Sequence, residues 1–346
     1  MTSASATVLP DSAGPVDVKR LANAFCHAKL LLTAGKLGVF AALEDFGSAT
    51  EQELSERLGL HPRASRDFLY GLVLLGLLEK DGDRYANSAA ARRSLVPGAP
   101  EYVGGFLARA DRMLYPAWEQ LDEAVTTGRP QAASAQGSFL DMLGDPVQRG
   151  PYLAMMDSAN SAVAPHLAEA FPWAAHGTLV DVGGCRGNLA SRLVQAHPHL
   201  TATVFDLPPM GDALREHTAA LGTDDKVSFV PGDFFADTEL PQGDVVMMGH
   251  VLHNWSPEQR AALVAKAWDA VRPGGALLVY DAMLDDEPTD LARILVSINM
   301  LLVTEGGSEY PASECRGWME AAGCTDVEVL PLGTHDTLVV GRKPAA

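Results

Sequence analysis

From about Thr178 onward, short apolar runs alternate with longer stretches whose apolar residues recur at helical spacing. That rhythm predicts parallel strands buried on both faces and joined by helices. The runs are LVDV from Leu179, the segment ending FDLP at Pro208, VSFVPGDFF (Val227 to Phe235), DVVMMGHVLHNW (Asp244 to Trp255) and GGALLVYD (Gly274 to Asp281). Ser256, Pro257 and Gln259 then supply a cap, a proline at the first helical position and a capping glutamine. The tail VEVLPLGTHDTLVVGRK reads as two strands joined by a tight connection. The predicted fold is α/β, a mostly parallel, doubly wound Rossmann-like sheet with a closing hairpin.

Upstream the rhythm differs. Residues 16 to about 46 read as a long apolar helix, Thr50 and Glu53 form a capping box, and Pro62 opens a helix running to about Leu77. LLEKDGDRYANS is a hairpin around Asp81-Gly82. Three helices and a β-wing make a winged-helix pattern. The expected domains are a disordered tail (1–14), a winged-helix-like, mainly helical domain (15–99), a helical connector (100–170) rich in Met and aromatic residues, and a ligand-binding domain (171–346). The apolar first helix suits packing on a second subunit. A winged helix invites DNA binding, but the helix after Pro62 is too apolar for a groove, and residues 1–100 balance 11 basic with 11 acidic residues. The net charge of −18 therefore lies in the remainder, which would repel nucleic acid. No apolar run approaches the roughly 20 residues of a membrane span. Cys26, Cys185, Cys315 and Cys324 show no paired spacing. A cytoplasmic enzyme is expected.

The most informative segment is LVDVGGCRGNLASRLVQAHPHLTATVFDLP. Gly183, Gly184 and Gly187 clear side chains from the turn after the first strand, so a ligand can approach the backbone. Asp206, at the tip of the second strand, is placed for ribose hydroxyls. The glycines read G-G-x-x-G rather than the G-x-G-x-x-G of a diphosphate site. Asp181 just before them would repel a diphosphate and welcome a cation, which disfavours a nicotinamide dehydrogenase. S-adenosylmethionine, with a sulfonium and an ammonium but no phosphate, fits. His253 follows the fourth strand, at the carboxyl edge where ligands bind, and an imidazole there can take a proton from a hydroxyl. Asp281 and Glu309 could orient it. His250, His253 and Asp281 raise the alternative of a metal site, but alternation along the strand is expected to send His250 to the other face, and no metal is expected.

These motifs together resemble the caffeate/acetylserotonin-type small-molecule O-methyltransferases, especially bacterial members in natural-product biosynthesis. The resemblance spans nearly the whole chain through VDVGGCRGN, FDLP, GDFF, VLHNW, PGGALLVYD and NMLLVTEGGSEYPASECRGWMEAAG. It implies a homodimer, S-adenosylmethionine as cofactor, and a small, mostly apolar aromatic acceptor methylated on a hydroxyl. His253 matches the family's general base, with Asp281 and Glu309 flanking it. Cofactor contacts are expected from Asp181, Gly183, Gly184, Asp206, Leu207, Gly232, Asp233, Phe234 and Trp255. Acceptor contacts are expected from Met156, Asn160, His250, Asn254, Asn299 and Met300. Three departures stand out: Asp281 where many members have Glu, Gly249 where plant members have lysine, and SEYP in place of ERT. C- or N-methylation, decarboxylation and hydroxylation remain alternatives on the same fold.

Overall fold

A computed structural model describes residues 16–99, 101–132 and 139–345. The tail expected at 1–14 lies outside the described residues. Contacts divide the chain into two compact units, one ending at Tyr115 and one beginning at Pro116.

In the first unit the long helix expected over residues 16–46 is instead three helices, Val18–Ala22, Ala24–Leu37 and Val39–Phe46, with Gly38 in the left-handed region (φ 76°) at the second break. The Thr50–Glu53 capping box forms, each side chain answering the other residue's backbone N–H. Strands Leu78–Asp81 and Arg84–Asn87 make the wing, extended by Ala49–Thr50. Ala34, Phe40, Leu43, Leu54, Leu69, Leu72 and Tyr85 form its core.

The second unit is built on seven strands: β1 (Thr178–Val182), β2 (Thr201–Asp206), β3 (Val227–Pro231), β4 (Gly243–Gly249), β5 (Val271–Asp281), β6 (Thr325–Leu332) and β7 (Asp336–Arg342). Their spatial order is 3-2-1-4-5-7-6. The first five are parallel, and the closing hairpin is antiparallel. The helices used below are α1 (Pro146–Ala170), α2 (Asn188–Ala196), α3 (Met210–Leu221), α4 (Pro257–Ala270), α5 (Leu291–Val303) and α6 (Ala312–Ala322).

Both sheet faces are apolar because both are covered. Val245 and Met247 of β4 and Leu278 of β5 face a core with Leu167 of α1 and Leu193 of α2. Their neighbours Val246, Met248 and Val279 face Leu263 and Trp268 of α4 and Met319 of α6. Each such side chain contributes about 2 kcal/mol by leaving water. The order reverses between β1 and β4, which opens a crevice at their carboxyl ends where such sheets bind ligands.

Candidate active site

The turn after β1 is shaped to keep space open. Gly183 has φ 75°, and a Cβ there would lie 2.8 Å from Val251. A Cβ on Gly184 would lie 2.5 Å from the Asp181 carboxyl carbon. Backbone and carboxylate are thus in contact, which no larger residue allows. Asp206 organises the same turn: its two oxygens accept the N–H groups of Cys185 and Leu207, each at 2.7 Å. Burial nonetheless pushes Asp206 up to about 6 against the pull of those two donors. Burial, reinforced by Asp206, pushes Asp181 up to about 7, and Asp181 Oδ2 has no hydrogen-bond partner. A buried acid with an orphaned oxygen beside a half-buried one makes a site that favours a cation.

Leu207 and Met156 pack on one apolar cluster with Leu143, Leu153, Cys185 and Met210. The structure thereby brings together one expected cofactor residue and one expected acceptor residue. Arg186 of the glycine turn and Asp157 of α1 are ion-paired, tying the same two elements. Gly232 donates its N–H to the Asp206 carbonyl (2.9 Å), so the end of β3 lies against the end of β2. Asp233 is exposed, and its carboxylate accepts the Phe235 N–H. Phe234 and Trp255 are edge to face at 5.7 Å and share the cluster with Phe235. Lys266 of α4 donates to the carbonyls of Phe234 and Asp237, both at 2.6 Å, and holds this loop in place.

His253 sits in a short turn, Leu252–Asn254, immediately after β4. The capping box at Ser256 starts α4 directly behind it and fixes where the turn ends. Its Nδ1 lies 2.6 Å from Glu309 Oε1 and 3.4 Å from Asp281 Oδ1. The shorter Asp281 side chain therefore gives an ion-pair contact, while Glu309 takes the hydrogen bond. A carboxylate accepts, so Nδ1 is the ring nitrogen that donates in this bond, and Nε2 is the one that neither acid engages. Asp281 Oδ2 accepts the Tyr310 hydroxyl at 2.5 Å, and Glu309 is anchored by its own N–H to Ser297 Oγ of α5. Burial, opposed by His253 and reinforced by Glu309, pushes Asp281 up to about 6. Arg260 of α4 is fully buried and spans the two halves of the site. It donates to the Leu252 carbonyl and to Ser308 O and Oγ, and it lies 4.7 Å over the Tyr310 ring.

His250 departs from expectation. Instead of pointing away, its ring lies 5.5 Å from that of His253. Its backbone is left-handed (φ 52°), which inverts the strand's alternation at this residue. His250, His253 and Asp281 consequently offer ligand atoms within 4.8 Å of one another. Each imidazole already turns a ring nitrogen to a carboxylate, His253 to Glu309 and His250 Nε2 to Asp336 at 3.4 Å, so the group is organised as proton-sharing pairs. Of the remaining acceptor candidates, Asn254 spends its amide on the His250 and Val251 carbonyls. Asn299 accepts the Trp118 indole N–H at 2.8 Å, while Asn160 and Met300 are buried. Gly249, in place of lysine, lets the Tyr280 ring lie where any Cβ would stand.

Sheet order, glycine turn and acidic strand tips define a class I S-adenosylmethionine-dependent methyltransferase. The profile of the O-methyltransferase domain matches residues 118–325, and that of the O-methyltransferase dimerisation domain matches residues 19–97. The chain is 46% identical over 333 residues to the tetracenomycin polyketide synthesis 8-O-methyl transferase of Streptomyces glaucescens, covering 96% of this chain and 97% of that one. It is 39% identical over 331 residues to an N,N-dimethyltransferase of Streptomyces rimosus, covering 94% and 95%. Among solved structures, human N-acetylserotonin methyltransferase in complex with S-adenosylmethionine superposes with a TM-score of 0.87 at 25% identity, covering 97% of this chain and all of that one. The chain belongs to the O-methyltransferase family and carries its dimerisation domain. It is an S-adenosylmethionine-dependent methyltransferase, not a dehydrogenase. Among the described residues, no single helix is long and apolar enough to cross a membrane.

Proposed function

We propose that this enzyme O-methylates a phenolic or enolic hydroxyl on a small, fused-ring aromatic natural-product intermediate. His253 acts as general base, and the oxygen attacks the sulfonium methyl carbon in line, displacing the neutral thioether S-adenosylhomocysteine in one step. The observation that carries this reading is the 2.6 Å bond from Nδ1 to Glu309, which presents Nε2 as the proton acceptor. The leaving group is already activated, so no metal or covalent intermediate is required. Relatives named for tetracenomycin 8-O-methylation and for 3-O-methylation of a 3-hydroxy-5-methyl-1-naphthoate, the latter 33% identical, support the aromatic acceptor. The relative named as an N,N-dimethyltransferase motivates an amine acceptor as a second reading. A neutral amine attacks without first losing a proton, so it has less use for the His253–Glu309 pair. Given S-adenosylmethionine and hydroxylated or aminated versions of one anthraquinone, the enzyme is expected to transfer methyl to the oxygen, identified by NMR of the product. Transfer to the amine alone would overturn the assignment.

In this reading Asp181 and Asp206 face the methionine ammonium and the ribose, and both are ionised when the cofactor is bound. In the free protein they stand at about 7 and 6. Ligand cations and hydroxyl donors favour the carboxylates, so binding expels protons and affinity rises with pH through both values, levelling off above them. Titration calorimetry near neutral pH, in two buffers of different ionisation enthalpy, should show that release. A buffer-independent heat with a pH-independent affinity would contradict it.

The same reading makes the active enzyme a homodimer. Leu21, Phe25 and Leu74, exposed on the dimerisation unit, support a covering partner.

A further inference from the structure

His250 and Asp336 have no part in the reaction as described, yet they are built into its surroundings at some cost. His250 is one of three non-glycine residues with positive φ among the described residues. Such a conformation is disfavoured and persists only where neighbours over-determine it. Here its N–H is held by the Tyr280 carbonyl at 3.0 Å, and its ring stands edge to face on Tyr280 at 5.1 Å. The imidazole bridges two strands. Nε2 is 3.4 Å from Asp336 Oδ2 at the start of β7, and Nδ1 is 3.9 Å from Asp281 Oδ1 at the end of β5.

The charge balance explains the arrangement. Asp281 and Glu309 are both buried against one imidazole, and each has an oxygen without a donor. Two adjacent carboxylates resist joint ionisation, and a low-dielectric site amplifies that resistance. The titratable and charged groups facing His250 are Asp281 and Tyr280 of β5, Asp336 of β7 with His335 beside it, Glu309 after α5, and His253 of its own turn. Arg260 lies beyond Asp281 and Glu309 and is committed to carbonyls.

Resting on the reading of His253 as general base, we propose that His250, held protonated by Asp336, is a positioning residue that keeps Asp281 ionised beside His253 and thereby sets the acidic limit of turnover. This gives His250 a role through Asp281, in place of the acceptor contact expected from its position in the chain. Burial alone would lower His250, but Asp336, then Asp281 and Glu309, lift it to about 9. The same pairing holds Asp336 below its usual range in spite of burial.

The test is the pH dependence of kcat at saturating cofactor for four proteins: wild type, D336N, H250N and H253A. Asn at 336 keeps a carbonyl for the His250 N–H and removes only the charge. Asn at 250 tolerates the left-handed backbone and removes the cation. Losing the cation favours protonation of Asp281, the buried acid against His253, so the acidic limb moves to higher pH. At this spacing the shift is expected to be about one pH unit in D336N, where the lost carboxylate offsets part of it, and larger in H250N. The alkaline plateau of D336N should stay within about threefold of wild type. A limb that does not move, moves to lower pH, or falls equally at every pH overturns the proposal and leaves the pair a packing role. H253A separates the two ideas. If it retains full turnover, the general base itself is wrong. If it is inactive while the other two profiles match wild type, only the His250–Asp336 proposal fails.

Discussion

Replacing His253 with alanine is expected to lower kcat by about 10²- to 10⁴-fold, the range over which a positioned general base contributes, while cofactor affinity changes little. The split follows from where the side chain spends its bonds. Nδ1 is committed to Glu309 and approaches Asp281, both on elements after β4, and no cofactor-loop residue shares those contacts. Removing the ring leaves Glu309 and Asp281 buried without their shared partner, and Asp281 moves further above its ordinary range. Some loss of thermal stability accompanies the loss of rate. Steady-state kinetics with calorimetry on the same sample separates the effects. A large fall in cofactor affinity with kcat intact would place His253 in the binding site instead.

Asp206→Ala should do the opposite. Its two oxygens satisfy the N–H groups of Cys185 and Leu207, and truncation orphans both in a half-buried turn, at up to about 1–3 kcal/mol each. The proposed ribose bonds disappear as well. S-adenosylhomocysteine affinity is expected to fall at least about 100-fold, since every 1.4 kcal/mol is a factor of ten. The free protein should melt earlier, and saturating cofactor should restore much of kcat. Unchanged affinity in this variant would remove Asp206 from the cofactor site.

The sheet was legible because its signals are local and redundant. Buried strands are apolar on both faces, and turns or caps mark their ends at Gly183, Gly232 and Ser256. Strand tips at β1, β2, β4 and β5 could therefore be located, and with them Asp181, Asp206, His253 and Asp281. What the sequence hid depends on partners far along the chain or on single backbone torsions. Asp336 is an ordinary loop acid until β7 sets it beside His250, and Arg260 is one charge on an amphipathic helix until it reaches Ser308. Tyr310 adjoins Glu309, but only the structure shows its hydroxyl on Asp281. The misplacement of His250 came from extending strand alternation one residue past Gly249, where φ changes sign. Gly38 misled similarly, since one left-handed residue divides an otherwise continuous helical pattern.

The central claim is that His253 removes a proton from the acceptor hydroxyl, and it is tested most directly by varying that proton. Turnover of wild type and H253A should be compared on two acceptors of the same shape, one with an ordinary phenol and one acidified enough to be ionised at the assay pH. H253A should be severely impaired on the ordinary phenol and approach wild-type turnover on the ionised one. Equal impairment on both would contradict it and leave His253 a role in orientation alone.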